Sequence, residues 1–163
     1  MSKEKHKKTN ALRILDTHHI AYTIDEYEWS EERGQGVHVA DELGLDEKEV
    51  FKTLVGKGDK TGYVVFCIPV AEELDLKQAA RVSSNKSVEL IHIKDLLAIT
   101  GYLRGGCSPV GMKKQFPTYF DETMQAQEAV YVSAGLRGMQ MHVNPQDLQS
   151  VVNAEFVPLT MKH

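Results

Sequence analysis

The chain has 163 residues, 42% of them hydrophobic and 26% charged, and a formal net charge of −4. These proportions are typical of a globular protein and exclude a disordered chain, and the length predicts one domain over residues 1–163. The longest apolar runs, such as Val64–Ile68, fall far short of the roughly 18 residues that cross a membrane.

The basic first ten residues lead into no apolar segment. We therefore expect no secretory signal, a cytoplasmic protein that binds no membrane, and a flexible basic N-terminus at residues 1–8.

Acidic and basic residues are unevenly distributed along the chain. Residues 25–49 contain ten acidic and two basic side chains, whereas residues 96–120 contain three basic side chains, Arg104, Lys113 and Lys114, and no acidic one. An anionic ligand would approach the second segment, although a plain solvated surface explains the same pattern. Non-specific DNA binders are basic overall, so the acidic net charge indicates that DNA is not a partner.

The cysteines and histidines form no metal-binding or disulfide pattern. Cys67 and Cys107 make no CxxC pair, and in a cytosolic protein we expect both to be reduced thiols. The seven histidines show neither HExxH nor zinc-finger spacing. A GxSxG nucleophile motif is absent as well. We therefore expect no metal, no cofactor and no Ser-His-Asp triad.

The first 100 residues predict alternating helices and strands. Apolar spacing, caps and turn residues indicate, in chain order, a helix capped by Thr9 or Asn10, a strand in Ala21–Trp29, a helix over Val37–Leu43, a turn capped by Asp46, strands over Val50–Val55 and Tyr63–Val70, a helix over Asp75–Val82, a strand over Val88–Ile93 and a helix over Ile93–Thr100. The run Tyr63–Val70 is apolar enough to be buried on both faces. The glycines of Gly56–Gly62 predict a turn before it.

The second half begins with a glycine-rich loop, Gly101–Gly111, and continues with short elements. These are a strand over Ala129–Ser133, a turn at Gly135–Gly138, a returning strand over Met139–Val143, a helix over Gln146–Val152 opened by Asn144 and Pro145, and an edge strand over Phe156–Leu159. Strands that pair through turns, with helices between groups of them, predict a mixed α+β domain. The alternation is too irregular for a doubly wound parallel sheet.

The loop Gly101–Lys114 is the first segment with residue types suited to chemistry. Its glycines allow consecutive backbone N–H groups to form an anion site, and Arg104, Lys113 and Lys114 would favour phosphate. The loop matches neither the P-loop nor GxGxxG. A purely structural loop is the alternative.

Two further positions leave alternatives open. Lys52 lies between apolar residues of a predicted strand, and it points either to solvent or into a pocket as a fixed positive charge. Arg137, in the glycine turn of the predicted hairpin, either binds a carboxylate or phosphate or belongs to a plain turn.

Four motifs together resemble one protein family. They are FKTLV (Phe51–Val55), GYLRGGCSPVGMKK (Gly101–Lys114), YVSAGLRG (Tyr131–Gly138) and NPQDL (Asn144–Leu148). Their order and spacing, from about Ala11 to Leu159, are similar to those of the YbaK-like bacterial Cys-tRNA(Pro) deacylases, relatives of the editing domain of bacterial prolyl-tRNA synthetase. The resemblance implies a mixed, largely antiparallel, barrel-like sheet with peripheral helices. It also implies an enzyme that removes a wrong amino acid from charged tRNA.

The resemblance further implies roles for individual residues. Lys52 would face inward as the catalytic residue. The substrate would be bound by Tyr27, Thr53, Gly105, Gly106, Cys107, Ser108, Ser133, Gly135, Arg137 and Gly138. Relatives often carry an aromatic residue where this chain has Gln35 next to Gly36, a departure that bears on amino-acid specificity.

The implied mechanism uses the thiol of a cysteinyl substrate, which attacks its own ester carbonyl while the protein supplies orientation and charge stabilisation. For Ala-tRNA a positioned water would attack instead, and both routes stay open. A non-catalytic tRNA- or nucleotide-binding module and a small-molecule-binding protein are the alternative functions. The expected partners are the acceptor end of an aminoacyl-tRNA and prolyl-tRNA synthetase, which would strengthen a weak complex with the tRNA.

Overall fold

Eight strands in two sheets and five α-helices make up the part of the chain that the structure describes. This computed structural model describes residues 8–30 and 37–162, without the side chains of residues 37–39. The helices are α1 (Asn10–Thr17), α2 (Val37–Leu43), α3 (Leu76–Val82), α4 (Ile93–Thr100) and α5 (Pro145–Val152). The strands are β1 (Tyr22–Glu26), β2 (Phe51–Gly58), β3 (Gly62–Pro69), β4 (Val88–Leu90), β5 (Thr118–Asp121), β6 (Val130–Leu136), β7 (Met139–Val143) and β8 (Glu155–Val157). Two 3₁₀-helices span Glu47–Glu49 and Glu122–Ala126.

The two sheets differ in strand direction. The first is antiparallel in the order β1-β7-β6, and the second has the order β4-β2-β3-β5-β8. In the second sheet β2 pairs antiparallel with β3 and β4, whereas β5 pairs parallel with β3 and β8. A bridge between Val50 and Tyr131 links the sheets. The predicted α+β fold with a mixed sheet is confirmed. The sheets do not close into a barrel, because both keep two edge strands in the described part of the chain.

Four apolar clusters pack the helices against the sheets in the described residues, and two of them hold α1, α3 and α5. The larger packs α1 and α5 on β6 and β7 through side chains such as Leu12, Leu148 and Met141. The second packs Ala79 and Ala80 of α3 on one face of β3. The opposite face of β3 joins the other clusters, so the predicted burial of this strand on both faces is confirmed. Within the described residues, no helix is long and apolar enough to cross a membrane.

Cap residues begin two helices, and a left-handed glycine ends a third, where the sequence predicts. Thr9 caps α1 by accepting from the Leu12 N–H, and Asn144 caps α5 through two backbone N–H groups. Gly101 ends α4 in the left-handed conformation, with φ of +88°.

The strands depart from the prediction in several places. β4 ends at Leu90 rather than Ile93, and β8 spans Glu155–Val157 rather than Phe156–Leu159. β5 and the 3₁₀-helix after it were not predicted, since four residues carry too little pattern. β6 continues past the predicted turn at Gly135 to Leu136, with a register shift after Ser133. β2 extends through Gly56 to Gly58, so the turn before β3 is shorter than predicted.

Candidate active site

A cavity of about 400 Å³ lies where the two sheets meet the glycine-rich loop. Its walls come from the start of β2, the hairpin of β6 and β7, the residue that follows β1 and the loop after α4. The lining residues are Tyr27, Val50, Phe51, Lys52, Thr53, Leu54, Val70, Arg104, Gly105, Cys107, Ser133 and Gln140. The volume suits a small molecule or the end of a larger one.

Strand pairing explains why β2 borders this cavity. β3 pairs with β2 along its whole length, whereas β4 pairs only with Gly56–Gly58. The other end of β2 carries Lys52 and Thr53, and among the described residues it has no second partner strand in its own sheet. This end therefore lies open to the cavity and to the facing strand β6.

Lys52 lines the cavity with a half-buried side chain, as the resemblance implies, rather than pointing to solvent. Burial lowers the pKa of its ammonium below the ordinary 10.5, and the carboxylates of Glu73 and Glu72 partly oppose that shift. Reduced hydration also strengthens the interaction of this cation with any negative charge that enters the cavity.

The glycine-rich loop packs tightly against the β6–β7 turn. A Cβ at Gly106 would lie 2.9 Å from the backbone nitrogen of Arg137, and a Cβ at Gly105 would overlap Nε1 of Trp29. Arg137 Nε donates to the Arg104 carbonyl oxygen at 2.9 Å. Its guanidinium lies 3.9 Å from the centre of the Trp29 ring. The indole and the turn thus pack against the loop, which itself lines the cavity through Arg104, Gly105 and Cys107.

Tyr27 joins β1 to the same turn. Its N–H donates to the Gly138 carbonyl oxygen at 2.9 Å, and Gly138 has φ of +85°, a conformation that favours glycine. Burial raises the pKa of the Tyr27 hydroxyl, a hydrogen bond with the backbone of Gly138 opposes this shift, and the carboxylate of Glu42 adds to it. Tyr27 therefore faces the cavity as a neutral hydroxyl at physiological pH.

The two cysteine thiols are protonated at neutral pH. Burial raises the pKa of Cys107, which lines the cavity, to about 12, although a hydrogen bond with Thr100 opposes the shift. Burial likewise raises the pKa of Cys67 to about 12, and its Sγ lies 3.5 Å from Thr53 Oγ1. Because the thiolate is the reactive form, neither cysteine is prepared for nucleophilic attack.

The predicted site residues divide between the cavity and its walls. Those that line it are Tyr27, Lys52, Thr53, Gly105, Cys107 and Ser133. Gly106, Ser108, Gly135, Arg137 and Gly138 are not among the lining residues, and of these Gly106 and Ser108 are buried whereas Arg137 is exposed. Ser108 is fully buried, and its Oγ accepts from the Val110 N–H at 3.2 Å. For these wall residues the structure shows support of the loop and turn, and contact with substrate stays a prediction.

Two residues at the site were missed from the sequence. The sequence pattern predicts Trp29 only as the end of a strand, and its contact with Arg137 joins residues 108 positions apart. Gln140 lies on β7 opposite Ser133, and it interrupts the otherwise apolar run of Met139 and Met141. A polar residue between two apolar ones is the sequence signal that could have identified Gln140.

Gln35 and Gly36, as well as residues 1–7 of the basic N-terminus, lie outside the described residues. Among the side chains that the structure describes, those of residues 8–30 and 40–162, no group of three His, Cys, Asp or Glu is arranged to hold a metal ion.

Comparison with known proteins identifies the family. The profile of the aminoacyl-tRNA editing domain matches residues 36–151. The chain belongs to this family. The resemblance inferred from its motifs is thereby confirmed. A relative of this editing-domain chain in Enterococcus faecalis, named Cys-tRNA(Pro)/Cys-tRNA(Cys) deacylase EbsC, is 50% identical over 163 residues, which cover 99% of either chain.

Solved structures share the fold of this editing domain. A crystal structure described as a trans-editing enzyme for prolyl-tRNA synthetase is 23% identical, with a TM-score of 0.79, and covers 96% of this chain and 100% of its own. The crystal structure of the hypothetical protein APE2540 is 18% identical, with a TM-score of 0.84, and covers 94% of this chain and 100% of its own. At these identities the likeness shows the fold alone.

Proposed function

We propose that this editing-domain protein is a trans-acting aminoacyl-tRNA deacylase that releases cysteine from Cys-tRNA(Pro). The observation that carries the proposal is a half-buried lysine, Lys52, in a cavity of about 400 Å³ in a chain of the editing-domain family. The relative named as a Cys-tRNA deacylase, 50% identical over the full length, supports the choice of substrate. The site of action is proposed to be the cytoplasm, where charged tRNA is used.

The reaction uses a nucleophile carried by the substrate. The cysteinyl sulfur attacks the ester carbonyl carbon, the bond from that carbon to the terminal ribose oxygen breaks, and the thiol proton passes to this leaving oxygen. The products are a cyclic thioester of cysteine and deacylated tRNA, which makes the step lyase-like rather than a hydrolysis. The protein thiols Cys107 and Cys67, with pKa values near 12, are in the wrong protonation state to act instead.

The protein contributes electrostatic stabilisation and orientation. Negative charge grows on the carbonyl oxygen as the thiol attacks, and a poorly hydrated ammonium at Lys52 stabilises it more than a solvated one would. Tyr27 and Ser133 supply neutral hydroxyl groups on the lining. Holding the aminoacyl end in this cavity also brings its sulfur and carbonyl together in a reactive conformation.

The larger part of the tRNA lies outside so small a cavity. Arg104 lines its mouth from the loop that also contains Lys113 and Lys114, and their charges suit the phosphates of the acceptor end. We expect a weak, salt-sensitive complex that association with prolyl-tRNA synthetase would strengthen.

The test is to incubate the protein with Cys-, Ser-, Ala- and Pro-tRNA(Pro) and to follow the loss of each ester. We expect Cys-tRNA(Pro) to be cleaved fastest, because serine replaces the thiol with a much weaker nucleophile. Equal rates for the cysteinyl and seryl esters would contradict the thiol-assisted step and favour an attacking water. If the protein accelerated the loss of none of these esters, the result would contradict the deacylase function and favour the tRNA-binding module.

A further inference from the structure

Gln140 carries an unusual buried amide. Its side chain is 4% exposed, and Nε2 is a buried side-chain nitrogen that the structure leaves without a hydrogen-bond partner in the described part of the chain. Buried polar groups in proteins are almost always hydrogen-bonded, and an unpaired donor opposes folding. An unpaired amide at a ligand cavity therefore indicates that a ligand supplies the acceptor.

The position of Gln140 on β7 directs it to the cavity. Its neighbours Met139 and Met141 belong to the apolar core, so the alternation of the strand places Gln140 on the opposite face. Directly across from it are Ser133 on β6 and Asp25 on β1. Gln140 and Ser133 both line the cavity.

The chemistry of the amide narrows the choice of ligand atom. An N–H donor cannot pair with the ammonium group of an amino acid, which is itself a donor, and a thiol is a weak acceptor. The ester carbonyl oxygen is a strong acceptor, and it is the atom on which charge develops during cleavage. A neutral N–H donor makes a directional hydrogen bond to that oxygen, whereas the ammonium of Lys52 supplies positive charge.

We propose that Gln140 Nε2 donates a hydrogen bond to the carbonyl oxygen of the scissile aminoacyl ester. This inference rests on the proposed function and adds to it a second catalytic residue, on the opposite sheet from Lys52. The hydrogen bond strengthens as the oxygen becomes negative, so it acts mainly in the transition state.

The test replaces Gln140 with methionine, a side chain of similar length that offers no donor. Gln146→Met is the matched control, because Gln146 is exposed on α5 and is not among the lining residues. Wild type and both variants are assayed on Cys-tRNA(Pro), and each is followed through thermal unfolding. We expect Gln140→Met to lower kcat by about 100-fold, the effect of removing one amide donor from an oxyanion site, with KM nearly unchanged.

The stability measurement separates catalysis from folding. Removing an unpaired donor should leave the melting temperature of Gln140→Met equal to or above that of wild type. If the Gln140→Met variant does not fold, Gln140→Leu provides the same comparison. Unchanged kcat in a folded variant, or a rise in KM alone as for a contact with the terminal ribose, would overturn the proposal. An inactive wild type would instead refute the proposed function.

Discussion

Replacing Lys52 with methionine removes an ammonium from the cavity while keeping an unbranched side chain of similar length. Lys57→Met is the matched control, because Lys57 lies on the same strand, is exposed, and extends over the Tyr63 ring, with Nζ 5.5 Å from its centre. The two variants lose the same charge from β2, one inside the cavity and one outside it. Any difference in deacylation rate between the two variants therefore reports on the position of the charge.

The expected loss of activity follows from the environment of Lys52. A single pre-positioned electrostatic donor in a water-poor site contributes about 100- to 1000-fold in rate, which corresponds to about 2.7 to 4 kcal/mol of transition-state stabilisation. We expect this loss for Lys52→Met in deacylation of Cys-tRNA(Pro), and little change for Lys57→Met. Lys52→Arg should also lose most activity, since the planar guanidinium does not occupy the same point.

The stability of Lys52→Met should be equal to or higher than that of wild type, although its activity falls. Burial lowers the pKa of Lys52 below 10.5, so the folded protein holds the charged form at a cost. Methionine removes that cost, and Lys52→Met should be at least as stable as wild type at neutral pH. Loss of activity together with equal or higher stability cannot be explained by unfolding.

The pH dependence gives an independent check on this reasoning. Between the folded pKa of Lys52 and 10.5, the unfolded chain binds more protons than the folded one, so wild-type stability rises with pH through that window. Below the folded pKa the full cost of burying the charge is present. The advantage of Lys52→Met over wild type should therefore be greatest at neutral pH and shrink as the pH approaches 10.5. Near-normal deacylation by Lys52→Met, or a melting temperature that falls with activity, would refute the role assigned to Lys52.

Two further substitutions test the loop. Cys107→Ala should keep most activity and lose about 1 kcal/mol of stability. The reason is that the buried thiol, with a pKa of about 12, contributes packing and no reactive thiolate. Complete loss of activity in the folded variant would instead indicate that Cys107 is an enzyme nucleophile. Gly105→Ala should cost about 1 to 2 kcal/mol for its φ of +86° and displace Trp29, the single tryptophan of the chain, which a shift in intrinsic fluorescence would report. Gly62→Ala, with φ of +81° and no atom near its Cβ, is the control, and an equal fluorescence change there would contradict the contact with Trp29.

The sequence alone determined the local structure where short-range chemistry decides it. The boundaries of α2, α4 and β7 match the prediction, and Thr9, Asp46 and Asn144 cap their helices as expected. A cap, a left-handed glycine and an apolar period all act within a few residues, so their signal is complete in the sequence. The family also followed from the sequence, since its motifs keep their order and spacing.

The tertiary structure decided which residues meet. Thr118–Asp121 becomes a strand because it pairs with β3 and β8, both distant in sequence. Alternation left the direction of Lys52 open, and only the packing of β2 beside β6 turns it to the cavity. Trp29 and Gln140 reach the site through contacts between segments far apart in the chain. Such contacts depend on long-range pairing and on which face of a strand is buried, and neither is encoded within one segment.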